Sequence, residues 1–171
     1  MLRRKAAFVY PVLPAPRVAV LEPWFRCPQP QPQSPVRVFE RGWCPAAAAY
    51  RPQAIAGRWP RLESLLNVKI ESLTHAVIVL ARVGDDLLTM ERRQRLWKAF
   101  RVPVFEQIIG PNGVLLAAEC EAHAGLHIES AKFDLGSRLI ETAPCGCGRP
   151  GPRLKLAAQV KKIRAAAASS R

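Results

Sequence analysis

The run THAVIVLARV, residues 74–83, limits the fold more than any other stretch of the chain. Its apolar, β-branched residues do not alternate with polar ones, which is the pattern of a strand buried on both faces. GDDLL then reads as a loop, and Thr89 is placed to cap a helix over residues 90–100, MERRQRLWKAF. Glu91 falls in the first turn, where an acid is favoured. The predicted apolar face of that helix is Met90, Leu96, Trp97 and Phe100. Pro103 ends it, and VPVFEQII returns as a second strand. A strand, a helix and a strand in that order imply a parallel pair joined by a right-handed crossover.

After the turn signal GPNG come three short segments, VLLAAECEA, GLHIESAKF and SRLIETA, which read as an antiparallel set. The fold class expected is therefore mixed α/β: a strand–helix–strand unit, then a small antiparallel sheet. Upstream, residues 1–60 hold eleven of the sixteen prolines, and CPQPQPQSP is low-complexity. Trp24, Phe25 and Trp43 show no sustained period there. Downstream, Leu156, Val160 and Ile163 lie at helical spacing among lysines. The division expected is a disordered, Pro-rich basic segment over 1–58, a folded domain over 59–153, and a basic Ala/Lys-rich tail helix over 154–171. A short helix is expected around Leu62, Leu65 and Leu66.

The net charge of +13 is confined to the ends. Residues 1–60 carry nine Lys/Arg against two Glu, and residues 151–171 carry six and no acid. Residues 61–150 carry eleven of each sign. A basic groove built into a fold would put its excess in the middle, so a nucleic-acid partner is not the leading expectation. No run of 18 uncharged apolar residues exists, so no membrane span is expected. Pro11, Pro14, Pro16 and Arg17 break the first apolar run, which argues against a secretory leader. A reducing, cytoplasmic compartment is the expectation.

The segment APCGCGRPGPRL, residues 143–154, places two thiols one residue apart where neither a helix nor a central strand can form. Such a pair cannot easily close on itself as a disulfide. It can present two sulfurs to one metal, and Gly146 and Gly148 let backbone N–H groups approach them. A tetrahedral zinc site needs two further ligands. The best set is Cys120, His127, Cys145 and Cys147, spaced C-x6-H-x17-C-x-C, with His123 as an alternate ligand in place of His127. Four protein ligands leave no position for water, so the zinc expected is structural. It would also cross-link strands too short to hold one another.

Other chemistry is not signalled. The phosphate-loop, dinucleotide-fold, nucleophile-elbow and H-E-x-x-H patterns are all missing from the sequence. HIE at 127–129 followed by PCGC at 144–147 approaches the zinc-deaminase pattern. The cysteine spacing is wrong for it, and GCGRPGP cannot open a helix.

Several motifs recur together in one known family. LTHAVIVLARVGDDLLTMERRQRLWKAFRVPVFEQ, then IIGPNG, then AECEAHAGLHIES, then CGCGRPGPRL follow one another over residues 73–154. In this order they resemble the middle-to-late part of the phenylacetate–CoA ligase-like adenylate-forming enzymes. The resemblance implies a structural zinc held by Cys120, His127, Cys145 and Cys147. It covers about half the chain and omits most of the family's chemistry. The Ser/Thr/Gly-rich ATP loop is missing. Only EQII stands where the aromatic–Gly–x–Ser/Thr–Glu motif belongs, and the hinge and lysine-bearing C-terminal domain are replaced by the tail.

The function expected is thus a non-catalytic, zinc-stabilised domain, an accessory or interaction module. A strand edge bared by the missing ligase body would offer a place for a protein partner. Two alternatives stand beside it. One is a zinc-knuckle nucleic-acid binder using the basic termini. The other is a partial adenylation or acyl-transfer subunit that works with a partner.

Overall fold

The computed structural model describes residues 8, 10–12, 14–25, 35–110, 113–130 and 140–155. In chain order the elements are β1 (Val18–Val20), β2 (Val36–Val38), α1 (Pro45–Ala49), β3 (Ala54–Gly57), α2 (Trp59–Glu63) and β4 (Ala76–Arg82). They continue as α3 (Met90–Phe100), β5 (Val104–Ile109), β6 (Leu115–Glu119), β7 (Leu126–Ile128), β8 (Ile140–Glu141) and β9 (Arg153–Leu154). All nine strands join one sheet in the order β2-β1-β3-β4-β5-β6-β7-β9-β8. The pairs from β2 to β5 are parallel. Those from β5 to β8 are antiparallel.

The parallel half is buried on both faces. Along β1, β3 and β4, side chains alternate between two cores. Val18, Val20, Ala54, Ala56, Ala76, Ile78 and Leu80 enter one. Ala19, Ile55, Val77 and Val79 enter the other, where they meet Leu62 of α2 and Leu96 of α3. The first face is closed differently. Phe25 is buried there, with Phe8, Tyr10 and Trp24 packed against it. Phe25 sits 4.4 Å from the Trp24 ring and 6.2 Å from that of Phe8.

This corrects the reading of residues 1–58 as a disordered segment. β1 and β3 lie inside the sheet, and Val18, Ala19, Val20 and Ile55 have no exposed surface. The boundary drawn at 58/59 cuts directly behind a sheet strand. Strands of three and four residues, buried on both faces, show neither alternation nor length, so prolines around them dominate the sequence signal. The CPQPQPQS stretch, 27–34, lies outside the described residues.

Two further expectations are corrected. α3 is capped as its sequence implies, with Thr89 accepting from the Arg92 N–H, and Arg101 ends it in a left-handed turn. Of its predicted apolar face, however, Leu96 is buried and Phe100 packs partly buried against the same core, while Met90 and Trp97 are 58% and 50% exposed. Arg92 and Arg95 instead lie over the Trp59 ring, tying α3 to α2. The tail boundary at 154 also moves, because Leu154 is a buried strand residue of β9. The tail helix itself, over 156–171, lies outside the described residues. Among the described residues no helix is long and apolar enough to cross a membrane.

β5 joins the two halves, and all six of its residues are buried. Two of them are polar. Glu106 is 1% exposed and accepts the Leu88 N–H at 2.7 Å. Its neighbour across β6, Glu119, accepts from Arg93 of α3 at 2.8 Å and from the Glu106 backbone N–H at 3.0 Å. Arg93 also donates to the Val104 carbonyl. One guanidinium therefore locks α3 onto the seam between parallel and antiparallel strands. Burial pushes the Glu106 carboxyl up to about 7, against the opposing pull of the Leu88 N–H and Arg93.

Two outcomes follow from this packing. Phe25→Ala should lower stability to urea by about 3 kcal/mol, the usual cost of emptying an aromatic core site. An unchanged midpoint would mean the N-terminal segment does not close the sheet. Glu106 is raised in the folded state, so its contribution is fully present below pH 4.5 and lost as pH rises through about 7. Denaturation of Glu106→Gln between those limits should show a flatter pH dependence than the parent chain, and parallel curves would refute the burial effect.

Candidate metal centre

The antiparallel half builds the site. β6 delivers Cys120 at its end, directly after the anchored Glu119. The chain turns there, with the His123 N–H donating to the Cys120 carbonyl at 3.0 Å. β7 returns with His127 in its middle, paired with Ala118. A second turn, closed by the Gly148 N–H on the Cys145 carbonyl at 3.0 Å, presents Cys145 and Cys147. β9 then pairs with β7, and this fixes the second turn against the first.

Gly125 permits that closure. Its φ of +121° is strained for any L side chain, and a Cβ there would lie 2.4 Å from the Leu154 carbonyl oxygen. The backbone of β9 thus approaches the β6–β7 turn as closely as only glycine allows.

One ligand atom from each of Cys120, His127, Cys145 and Cys147 lies within 4.8 Å of all the others. The Cys120 and Cys145 sulfurs are 3.6 Å apart, and the Cys147 sulfur is 3.3 Å from His127 Nε2. Zinc–sulfur and zinc–nitrogen bonds of about 2.3 and 2.0 Å give tetrahedron edges of about 3.8 and 3.5 Å. The donor spacing fits such an ion. Cys120, His127 and Cys145 are buried, and Cys147 is partly so. His123, the alternate ligand, stands outside the group. Its Nδ1 lies 2.8 Å from Glu119, and its ring stacks on Phe105 at 4.8 Å. His75 is exposed and bonded to Thr74.

The surroundings suit thiolates. Each sulfur meets the backbone N–H of the residue two positions on: Ala122 for Cys120, Cys147 for Cys145, and Arg149 for Cys147. Hydrogen bonds of this kind favour the charged form. They hold the Cys145 thiol below its ordinary range, whereas burial pushes Cys120 up to about 12. His127 is lowered, by burial first and then by Arg149 and Arg153, so it presents a neutral, ligating imidazole.

Arg153 supplies the balancing charge. It is 3% exposed, donates to the Ala124 and Ala143 carbonyls, and stands 3.7 Å from Glu141, yet its Nε has no partner. A buried cation beside the cluster suits three thiolates and a divalent ion, which together carry one negative charge. Sequence reasoning missed Arg153 because its strand, β9, is two residues long.

A second polar cluster also went unread. Strand order reverses at β1, and open α/β sheets carry ligands at the carboxyl ends beside such a reversal. In this chain its own side chains meet there. Glu22 accepts from the Trp24 indole and the Arg58 N–H, both at 2.8 Å, and stands 3.7 Å from Arg61.

No protein-family model matches the chain, and no curated protein matches it. Three sulfurs at two turns and one imidazole from β7 lie close enough together to hold a metal ion.

Gly125→Ala should destabilise the chain by at least about 2 kcal/mol, as strained backbone and a backbone clash combine. Thermal unfolding of that variant with one added equivalent of zinc checks it, and a wild-type transition would contradict the close approach of β9.

Proposed function

We propose that the chain is a zinc-stabilised α/β domain without catalytic chemistry of its own, serving as an accessory or interaction module. Cys120, His127, Cys145 and Cys147 hold the ion, which pins the short antiparallel strands to the parallel sheet. The observation that carries this reading is the N–H donor on each of the three sulfurs, at residues whose fourth partner is a buried imidazole. Idle core thiols need no such donors. The zinc does no chemistry in this proposal, since all four of its tetrahedral positions are taken by protein.

The further relation, to a fragment of phenylacetate–CoA ligase-like enzymes, rests on the order of the motifs in residues 73–154. In that reading residues 73–154 correspond to the family's zinc-bearing end. The domain then acts through a protein partner in a reducing compartment.

Metal analysis of untagged chain tests the proposal. One zinc per chain is expected, and Cys120→Ser or His127→Ala should lose it together with a large part of the stability. Stripping by a chelator should lower the melting temperature, and re-addition of zinc should restore it. Metal-free protein of unchanged stability would refute the site. Acyl-adenylate formation by the purified chain would refute the non-catalytic role.

A further inference from the structure

The geometry points to an oxidative modification site within the metal centre: peroxide joins Cys120 to Cys145, expels the zinc and frees the Cys147 thiol. This rests on the zinc reading above and adds a regulation to it.

Three cysteines allow three disulfides, and the structure separates them. Cys145 and Cys147 are one residue apart, and such a ring is strained. Cys147 is engaged elsewhere as well: its sulfur lies 3.3 Å from His127 Nε2 and 3.4 Å from the Arg149 N–H, while remaining within 4.8 Å of the other ligand atoms. Cys120 and Cys145 face each other directly at 3.6 Å, buried, from two separate turns. They sit 25 residues apart in sequence, so their bond does not close the small ring that a Cys145–Cys147 bond would. Cys44 lies in the other half of the sheet, at the start of α1.

The reaction balances with hydrogen peroxide as oxidant. One thiolate attacks the O–O bond, becomes a sulfenic acid and releases hydroxide, which takes a proton from solvent. The second thiolate attacks that sulfur and forms the S–S bond. The sulfenic oxygen leaves as water after taking a second proton. Two thiolates are oxidised by one electron each, and one peroxide is reduced to two waters. Cys147 and His127 alone cannot hold the ion as four ligands do.

The consequence is specific to this fold. The metal links the end of β6, the middle of β7 and the second turn, and the new disulfide keeps the first and last of these joined. The cross-link between β6 and the second turn therefore survives oxidation, while zinc and one thiol are released. The site reports oxidant without unfolding the domain.

The test uses the full zinc-loaded chain, titrated with hydrogen peroxide in the presence of a chromogenic zinc chelator. Complete release of the ion is expected, with an unchanged far-ultraviolet circular dichroism spectrum. Non-reducing peptide mapping should show a Cys120–Cys145 link and a Cys147 that still takes an alkylating agent. Dithiothreitol followed by zinc should reverse all three changes. Cys147→Ser should form the same link. A Cys147-containing disulfide, sulfinic acids in place of a disulfide, or loss of the sheet on oxidation would each overturn the inference. A chain that never takes up zinc sinks the metal reading alone, and mapping of that oxidised chain still decides whether Cys120 and Cys145 pair.

Discussion

Three sulfurs from two turns and an imidazole nitrogen from β7 lie within 4.8 Å of one another. That closeness is the constraint on which the antiparallel half rests. Left to themselves the groups have little reason to converge. Burial first, and then the neighbouring Cys147 and Cys145, push the Cys120 thiol up to about 12, and each backbone N–H turned toward a sulfur is a donor withheld from a stronger oxygen acceptor. A divalent cation held there, as proposed, would reverse the balance: it would stabilise the thiolates and close a cross-link between segments that local forces hold weakly. β7, β8 and β9 have three, two and two residues, too few to define a sheet by hydrogen bonds alone.

Beside the β5–β6 ladder, one buried side chain ties the site to the rest of the molecule. Glu119 precedes Cys120 and is fully buried, with Arg93 on one oxygen and His123 on the other. Arg93 belongs to α3, whose Leu96 enters the core beneath the parallel strands. The position of the first metal ligand is thereby set by packing on the far side of β5. The remaining ligands are set by β9 through Gly125, and Arg153 of that strand balances their charge. Fold and site are two ends of one arrangement.

What could be read from sequence follows from how each signal is carried. The ligand set was legible because its residues are chemically rare and sit among glycines, where a core role does not explain them. β4, α3 and β5 were legible as a continuous apolar run, a capped helix and a proline stop. β1 and β3 were not, since three or four buried residues between prolines carry no period. The outward turn of Trp97 was equally hidden. Helical spacing allots it to the apolar face beside Leu96, but only Leu96 is buried, and Arg92 and Arg95 of the same helix lie over Trp59. Arg153 and Gly125 depend on contacts across 29 residues, which no local pattern records.

The central claim is a closed three-sulfur, one-nitrogen coordination shell. X-ray absorption at the zinc edge, on protein purified without a histidine tag, measures that shell directly. The account predicts three sulfurs at about 2.3 Å and one nitrogen at about 2.0 Å, with no water oxygen. A shell of oxygen and nitrogen alone, or fewer than three sulfurs, would contradict it.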